Sequence, residues 1–201
     1  MDGFELCKLI KNDVRTQHIP VIILTAKADF ESKLEGLEFG ANVYLSKPFS
    51  KDELILNIRN LFNLRMQLQK FYRESNLVSE NLTKKNFIAL SNQSDNEFVM
   101  KVKAYIEKNI ENIDLNVEKM ASDFNFSHSQ FSRKLDALTG LAPIKYIRHI
   151  KLQKASAMLS ETDETITAIA YTCGFNDPGY FTRVFKKEFG ATPQDWRTKN
   201  S

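Results

Sequence analysis

The spacing of apolar residues in the first third of the chain predicts alternating strands and helices. Residues 19–26 form a continuous apolar run rich in β-branched side chains, which is typical of a buried parallel strand. Residues 31–39 have the spacing of a helix, residues 42–46 predict a second strand, and a further helix opens at Ser50. This alternation predicts part of a doubly wound α/β unit over residues 1–63.

A longer apolar stripe follows, with spacings that alternate between four and three residues, as in a short coiled-coil seam. Its members are Leu54, Ile58, Leu61, Arg65, Leu68 and Tyr72. An ordinary amphipathic helix packed on the α/β fragment explains residues 50–62 equally well, whereas beyond Arg65 a dimer or interdomain role is favoured. Residues 64–96 are predicted to be a helical connector and linker, with little structure of its own from residue 75 onward.

The remaining half, residues 97–201, shows seven helical segments separated by short turns. Ser94 and Glu97 resemble a capping box at the start of the first segment. Pro143 suits the first turn of a long helix that reaches about residue 159. The pattern predicts a mainly α protein, in which a seven-helix C-terminal domain follows the α/β fragment.

A motif within that domain occurs twice, fifty residues apart. Phe-Ser-Arg at residues 131–133 returns as Phe-Thr-Arg at residues 181–183, and a glycine and a proline follow each copy at matched distances. Each copy has the pattern of a helix, a tight turn and a second helix with basic residues, which is typical of a DNA-reading helix-turn-helix. The second helices, about 128–139 and 178–189, are therefore predicted to be recognition helices.

The charge distribution agrees with two contacts to a polyanion. The net charge is only +3, but six Lys or Arg occur in residues 127–154 and five in residues 178–201, while residues 155–177 have none and four acids. Two basic blocks suit a protein that touches phosphates at two places. Solvated helix faces would explain such mild charge about as well.

Other functional classes find little support. Cys7 and Cys173 lie in apolar surroundings, which favours buried thiols in a reducing compartment. The histidines are scattered, so no metal site and no cofactor are predicted. A glycine-rich phosphate loop, a Ser/His/Asp set and paired carboxylates are all missing, so an enzyme is not expected. Since the chain has neither a signal-peptide pattern at its start nor an apolar run long enough to span a bilayer, it is expected to be cytoplasmic.

The stretch at residues 169–193, IAYTCGFNDPGYFTRVFKKEFGATP, resembles the signature of the AraC-type transcription regulators. The resemblance implies two recognition helices joined by the long helix at 143–159, which enter successive major grooves about 10 bp apart on one side of the DNA. Positions that match the family's base readers are Ser129, Ser132, Arg133, Pro178, Gly179, Thr182 and Arg183. The full set predicted to contact DNA is Ser129, Gln130, Ser132, Arg133, Lys134, Arg148, Thr182, Arg183, Lys186 and Lys187.

Residues 1–63 resemble the latter half of a flavodoxin-like response-regulator receiver domain, through Met-Asp-Gly at residues 1–3, PVIILTA at 20–26 and YLSKPF at 44–49. The resemblance implies that Thr25 would bond the phosphoryl group, that Lys47 would be its cationic partner and Tyr44 the switch aromatic. It also implies a cis peptide between Lys47 and Pro48.

The family's phosphoacceptor Asp and metal-binding acids precede Met-Asp-Gly, so no phosphoacceptor is expected in this chain. The chain is interpreted either as a fragment of a longer sensor-regulator or as a truncated regulator. Two strands without their neighbours would expose unpaired edges. The receiver part is therefore expected to be poorly ordered or to be completed by dimer contacts.

The leading functional hypothesis is a sequence-specific, DNA-binding transcription regulator, the output part of a two-component system. Its predicted partners are double-stranded DNA and RNA polymerase, with a homodimer through the receiver part or residues 54–72. The alternative is an interaction or dimerisation module, built on the receiver part, that modulates partner regulators.

Overall fold

The computed structural model describes residues 2–26, 38–74 and 93–200 and divides into two units. The first consists of Met1–Asn96 together with Arg133–Gly140, and the second of Glu97–Ser132 and Leu141–Ser201. Most of the helix predicted at 31–39 and most of the linker predicted from residue 75 lie outside the described residues.

Within the first unit, the described part of residues 2–74 contains α1 (Gly3–Asn12), β1 (Ile22–Thr25), β2 (Val43–Ser46) and α2 (Lys51–Glu74). The strands pair in parallel, with Ile22 opposite Val43 and Thr25 opposite Ser46, as expected for strands that alternate with helices. Helix α1 begins after Asp2, whose carboxylate accepts bonds from two backbone amides of the first turn.

Helix α2 runs without a break from Lys51 to Glu74, through the predicted boundary between the receiver part and the connector. The later members of the predicted coiled-coil seam make contacts inside the first unit. Arg65 Nε donates to the Ala137 carbonyl oxygen at 3.0 Å, and the Tyr72 hydroxyl donates to the Asn96 side chain. This half of the stripe therefore serves the unit's own packing.

Residues 93–200 form the seven helices that the sequence predicted. They are α3 (Gln93–Lys108), α4 (Val117–Asp123), α5 (His128–Thr139), α6 (Pro143–Glu161), α7 (Ile166–Thr172), α8 (Pro178–Phe189) and α9 (Pro193–Asn200). Helix α3 begins one residue before the predicted cap Ser94, whose hydroxyl accepts a hydrogen bond from the Gln17 side chain. Ser94 therefore lies inside the helix and not at its predicted N-cap position.

Capping residues with short polar side chains, a proline and a glycine mark the helix ends in the two repeats. Asn116 and Thr165 cap α4 and α7 by accepting backbone N–H groups at 2.8 and 3.1 Å. Asp177 caps α8 with Pro178 in its first turn, and Gly190 ends α8 in the left-handed conformation. These local signals fix where α4, α7 and α8 begin and where α8 ends.

The repeated phenylalanines form the cores of the two halves of the second unit. Phe131 is fully buried against the rings of Phe98, Phe124 and Phe126, at centroid distances of 5.8 to 6.5 Å. Phe181 is fully buried in the corresponding apolar cluster of α6 to α9. Phe131 therefore packs α5, and Phe181 packs α8, on a separate hydrophobic core.

Both cysteines are free and buried, one in each unit, as predicted. Burial raises the pKa of the Cys173 thiol to about 11 and raises that of Cys7 as well. Among the helices that the structure describes, none is long and apolar enough to cross a membrane.

Candidate nucleic-acid interface

Helix α8 carries a row of cations on the side opposite its core residues. Arg183, Lys186 and Lys187 are exposed, whereas Phe181 and Phe185 are fully buried. Residues three and four apart are neighbours on a helix, so the three cations share one face. Three like charges at this spacing repel one another, and a polyanion in contact with the face would relieve that repulsion.

Two polar side chains on or beside the start of α8, Thr182 and Arg148, already donate hydrogen bonds within the protein. The Thr182 hydroxyl donates to the Pro178 carbonyl oxygen at 2.9 Å, which leaves its oxygen able to accept a bond from a base amino group. Arg148, on the long helix α6, donates to the Tyr180 hydroxyl at 3.2 Å and is half-buried. Arg148 therefore links α6 to the start of α8 through Tyr180.

The start of α5 presents smaller groups. Ser129 and Arg133 are exposed and Ser132 is half-buried. Gln130 closes a capping box, because its side-chain oxygen accepts bonds from the Ser127 backbone amide at 3.2 Å and hydroxyl at 3.0 Å. The carbonyl end of Gln130 is thus used within the protein.

Lys134 does not belong to the surface at all. It is fully buried in the first unit, where its ammonium lies 2.8 Å from Asp95 and donates to the Val14 carbonyl oxygen at 2.5 Å. Gln17 donates to the same carboxylate at 3.2 Å. A buried ammonium must be paired in this way, so the expected DNA contact at Lys134 is corrected.

The repeat itself contained a signal for this burial. Lys134 occupies the position of Val184 in the second copy, where the side chain packs against the apolar cluster of α6 to α9. A position that is apolar in one copy is expected to face inward in the other. Basic character alone suggested the surface, and the alignment of the copies would have argued against it.

A second cation of the first basic block is also buried. Lys151 on α6 is 7% exposed, and its ammonium donates to the carbonyl oxygens of Asn112 at 3.3 Å and Gly174 at 3.0 Å. Burial lowers the pKa of Lys151, because removal from water disfavours the charged form. The charge count over residues 127–154 therefore overstated the surface charge of the first repeat.

Comparison with known proteins agrees with both parts of this architecture. Residues 120–199 match the helix-turn-helix domain family, and residues 1–59 match the response regulator receiver domain family. The C-terminal domain of AraT, a response regulator from Geobacillus stearothermophilus, is 30% identical; the match covers 50% of this chain and 83% of that one, with a TM-score of 0.47. Residues 120–199 are an AraC-type helix-turn-helix domain, and residues 1–59 are part of a response-regulator receiver domain.

Two further relatives define the extent of this likeness. An AraC-type transcriptional regulator from Chromobacterium violaceum is 25% identical over 55% of this chain and 97% of that one, with a TM-score of 0.51. The protein "Histidine kinase P4" of Formosa agariphila is 33% identical over the whole of this chain. The chain spans only 14% of that relative's length, and the two families matched here are regulatory and DNA-binding rather than enzymatic.

The structure describes the three receiver residues Thr25, Tyr44 and Lys47, whose roles in a phosphoryl site stay predictions. Thr25 ends β1 beside the end of β2, and the Lys47 backbone amide donates to the Thr25 carbonyl oxygen at 2.6 Å. The Lys47–Pro48 peptide is cis, as expected. Tyr44 is buried, with its ring stacked 6.4 Å from that of Phe4. Among the described residues no cluster of His, Cys, Asp or Glu could hold a metal ion.

Proposed function

We propose that this AraC-type regulator binds double-stranded DNA at specific sequences by placing α5 and α8 in successive major grooves, as the output part of a two-component system. One observation carries the proposal. Arg133 and Arg183 occupy equivalent positions of the two repeats, and both are exposed, each two residues after a fully buried phenylalanine. The same Phe anchor thus directs one arginine per repeat to the surface.

The side chains suit distinct parts of a DNA site. An exposed Arg on a recognition helix can form a bidentate pair with a guanine edge, whereas Lys186 and Lys187 suit phosphates. Ser129 and Ser132 can bond either phosphates or bases. Thr182, with its hydroxyl hydrogen committed to Pro178, acts as an acceptor.

Both helices offer few side chains that could bond to base edges. Gly179 and Pro178 offer no polar side chain at the start of α8, and Gln130 is engaged in a cap at the start of α5. With few base-reading groups, part of the specificity would come from the shape and deformability of the DNA. The two contacts are expected about one helical turn, or 10 bp, apart.

The wider regulatory role is also proposed. The match to the receiver family supports control by a two-component signal, and contact with RNA polymerase follows from the activity of a transcription regulator. Domain boundaries at 63 and 96, and a homodimer through the receiver part or residues 54–72, stay predictions. The same is true of the alternative role as an interaction module for partner regulators.

The test is selection from a pool of random-sequence duplexes with the purified 201-residue chain, followed by hydroxyl-radical footprinting on the enriched duplex. We expect a two-part motif and two protected stretches about 10 bp apart on one side of the DNA. Recovery of no enriched sequence would overturn the proposal. A motif with only one part would refute the use of both recognition helices.

A further inference from the structure

A junction within the second unit links the loop before α4 to the turn before α8. Its centre is the Lys151 ammonium, which bonds the carbonyl oxygens of Asn112 and Gly174. Asn112 lies in the loop between α3 and α4, ahead of the first recognition helix, and Gly174 lies in the turn between α7 and α8. One side chain of the connecting helix α6 therefore holds a backbone segment from each half.

The junction is packed closely on its far side. Gly174 has φ +71°, and a Cβ at this position would clash with the Ile110 carbonyl oxygen and lie 2.5 Å from Lys151 Nζ. The turn of the second helix-turn-helix thus lies against the loop that precedes the first, with no space for a side chain. Only glycine accommodates both this conformation and this contact.

The chemistry of the junction makes it stiff. Bonds from an ammonium to carbonyl oxygens are charge-assisted and stronger than bonds between neutral groups. In the described part of the chain Lys151 forms no ion pair with a carboxylate, so the two carbonyls are the acceptors that compensate its burial. Loss of the ammonium would remove the donor that ties the exposed Asn112 and the half-buried Gly174 to helix α6.

We propose that Lys151 is a positioning residue that sets the distance and rotation between the two recognition helices, and thereby the spacing of the two half-sites that the protein accepts. The inference rests on the proposed two-groove function. One added base pair moves the second half-site by about 3.4 Å and turns it by roughly 34° around the DNA axis. A stiff junction tolerates that change poorly, whereas a loosened one adapts to it.

The experiment measures affinity of the full chain for the selected two-part duplex and for versions with one or two base pairs added or removed between the half-sites. The wild type should lose at least about tenfold in affinity for a change of one base pair, comparable to losing a base contact. Lys151→Met should flatten this profile to about threefold or less. Lys154→Met, an exposed lysine on the same helix, is the matched control and should keep the wild-type profile.

Circular dichroism establishes that each variant is folded at the assay temperature. If Lys151→Met does not fold, Lys151→Gln takes its place; its shorter, neutral side chain loses the charge-assisted bonds, so it should flatten the profile in the same way. A folded Lys151 variant with the wild-type spacing profile would overturn the inference and leave the proposed function intact. If selection returns no two-part duplex, the proposed function fails and the inference fails with it.

Discussion

Helices α5 and α8, the two proposed recognition helices, share a sequence motif but differ in the units to which their residues belong. Helix α8 lies wholly in the second unit, and all of its exposed cations face away from one apolar cluster. Helix α5 is divided, because residues from Arg133 onward belong to the first unit. There Lys134 is paired with Asp95, and the Ala137 carbonyl oxygen accepts bonds from Arg65 and from Gln69.

Helix α8 also carries more positive charge than α5. Positions that carry Lys186 and Lys187 in α8 carry Asp136 and Ala137 in α5. Helix α5 therefore has fewer exposed cations than α8, and its Lys134 is buried where α8 has Val184. The second copy is thus expected to attract a polyanion more strongly than the first.

The largest effect should come from breaking the buried pair that exists only in the first copy. Asp95→Ala should lower the free energy of unfolding by about 3–5 kcal/mol, because it leaves the Lys134 ammonium buried without a carboxylate. Urea denaturation measures this loss. Asp136→Ala, which removes an exposed acid from α5, is the control and should change stability by no more than about 0.5 kcal/mol.

A double variant sharpens the test. Asp95→Leu combined with Lys134→Met should recover most of the stability lost in Asp95→Ala, since apolar side chains of similar size replace buried ion pairs well. A loss below about 1 kcal/mol in Asp95→Ala would show that the carboxylate does not compensate the burial of Lys134.

Loss of the exposed arginine should weaken DNA binding by a similar amount in the two copies. Arg133→Ala and Arg183→Ala should each weaken binding to the selected duplex by about 1–3 kcal/mol and relax specificity at one base position. Fluorescence anisotropy with single-base variants of the duplex measures both effects. Arg15→Ala, which removes an exposed arginine paired with Asp13, is the control. Unchanged affinity in either recognition-helix variant would remove that arginine from the interface.

Acid should destabilise the first unit through His18. Burial, followed by the charge of Lys134, lowers the pKa of His18 to about 4, below the value of about 6.5 expected in the unfolded chain. The unfolded state then binds the proton more readily, so this stabilisation is complete above pH 6.5 and declines as the pH falls towards 4. We expect a loss of roughly 1–2 kcal/mol, reduced by the partial exposure of the ring.

His18→Gln isolates this contribution from that of the carboxylates. The wild type should lose more unfolding free energy than the variant between pH 7 and pH 4.5, measured by urea denaturation at each pH. Identical pH dependence of the two proteins would show that His18 titrates normally in the folded state.

The smallest effects should appear in the salt dependence of DNA binding. Lys186→Ala and Lys187→Ala should each reduce the slope of log affinity against log salt by about 1, because one phosphate contact and its released counterion are lost. Asp136→Asn at the position equivalent to Lys186 should instead raise affinity by roughly 0.3–1 kcal/mol at low salt. Unchanged slopes in both lysine variants would place the α8 cations away from the phosphates.

Local signals were sufficient to predict the helices and strands. Asn116, Thr165 and Asp177 act through hydrogen bonds to amides two or three residues away, so their roles are visible in the sequence. Phe131 and Phe181, which recur at one spacing in the two copies, are both fully buried. The parallel pairing of the two strands was expected because strands and helices alternate along this part of the chain.

The candidate interface was predicted less completely, because a cation has the same sequence signature on a surface and in a buried pair. Arg133 and Arg183 lie on the surface as expected, but Lys134 and Lys151 do not. The partners that permit their burial are distant in sequence: Asp95 is 39 residues from Lys134, and Asn112 is 39 residues from Lys151. The spacing of apolar and polar residues along the chain does not reveal contacts between residues so far apart.

The sequence by itself determined the repeated helix-turn-helix pattern, the order of the elements and the family, because caps, turns and core spacing act over a few residues. Only the tertiary structure decided which basic residues are available to DNA. Burial of an ammonium depends on whether folding brings a carboxylate or carbonyl oxygen within about 3 Å of it, and that condition is met by distant parts of the chain.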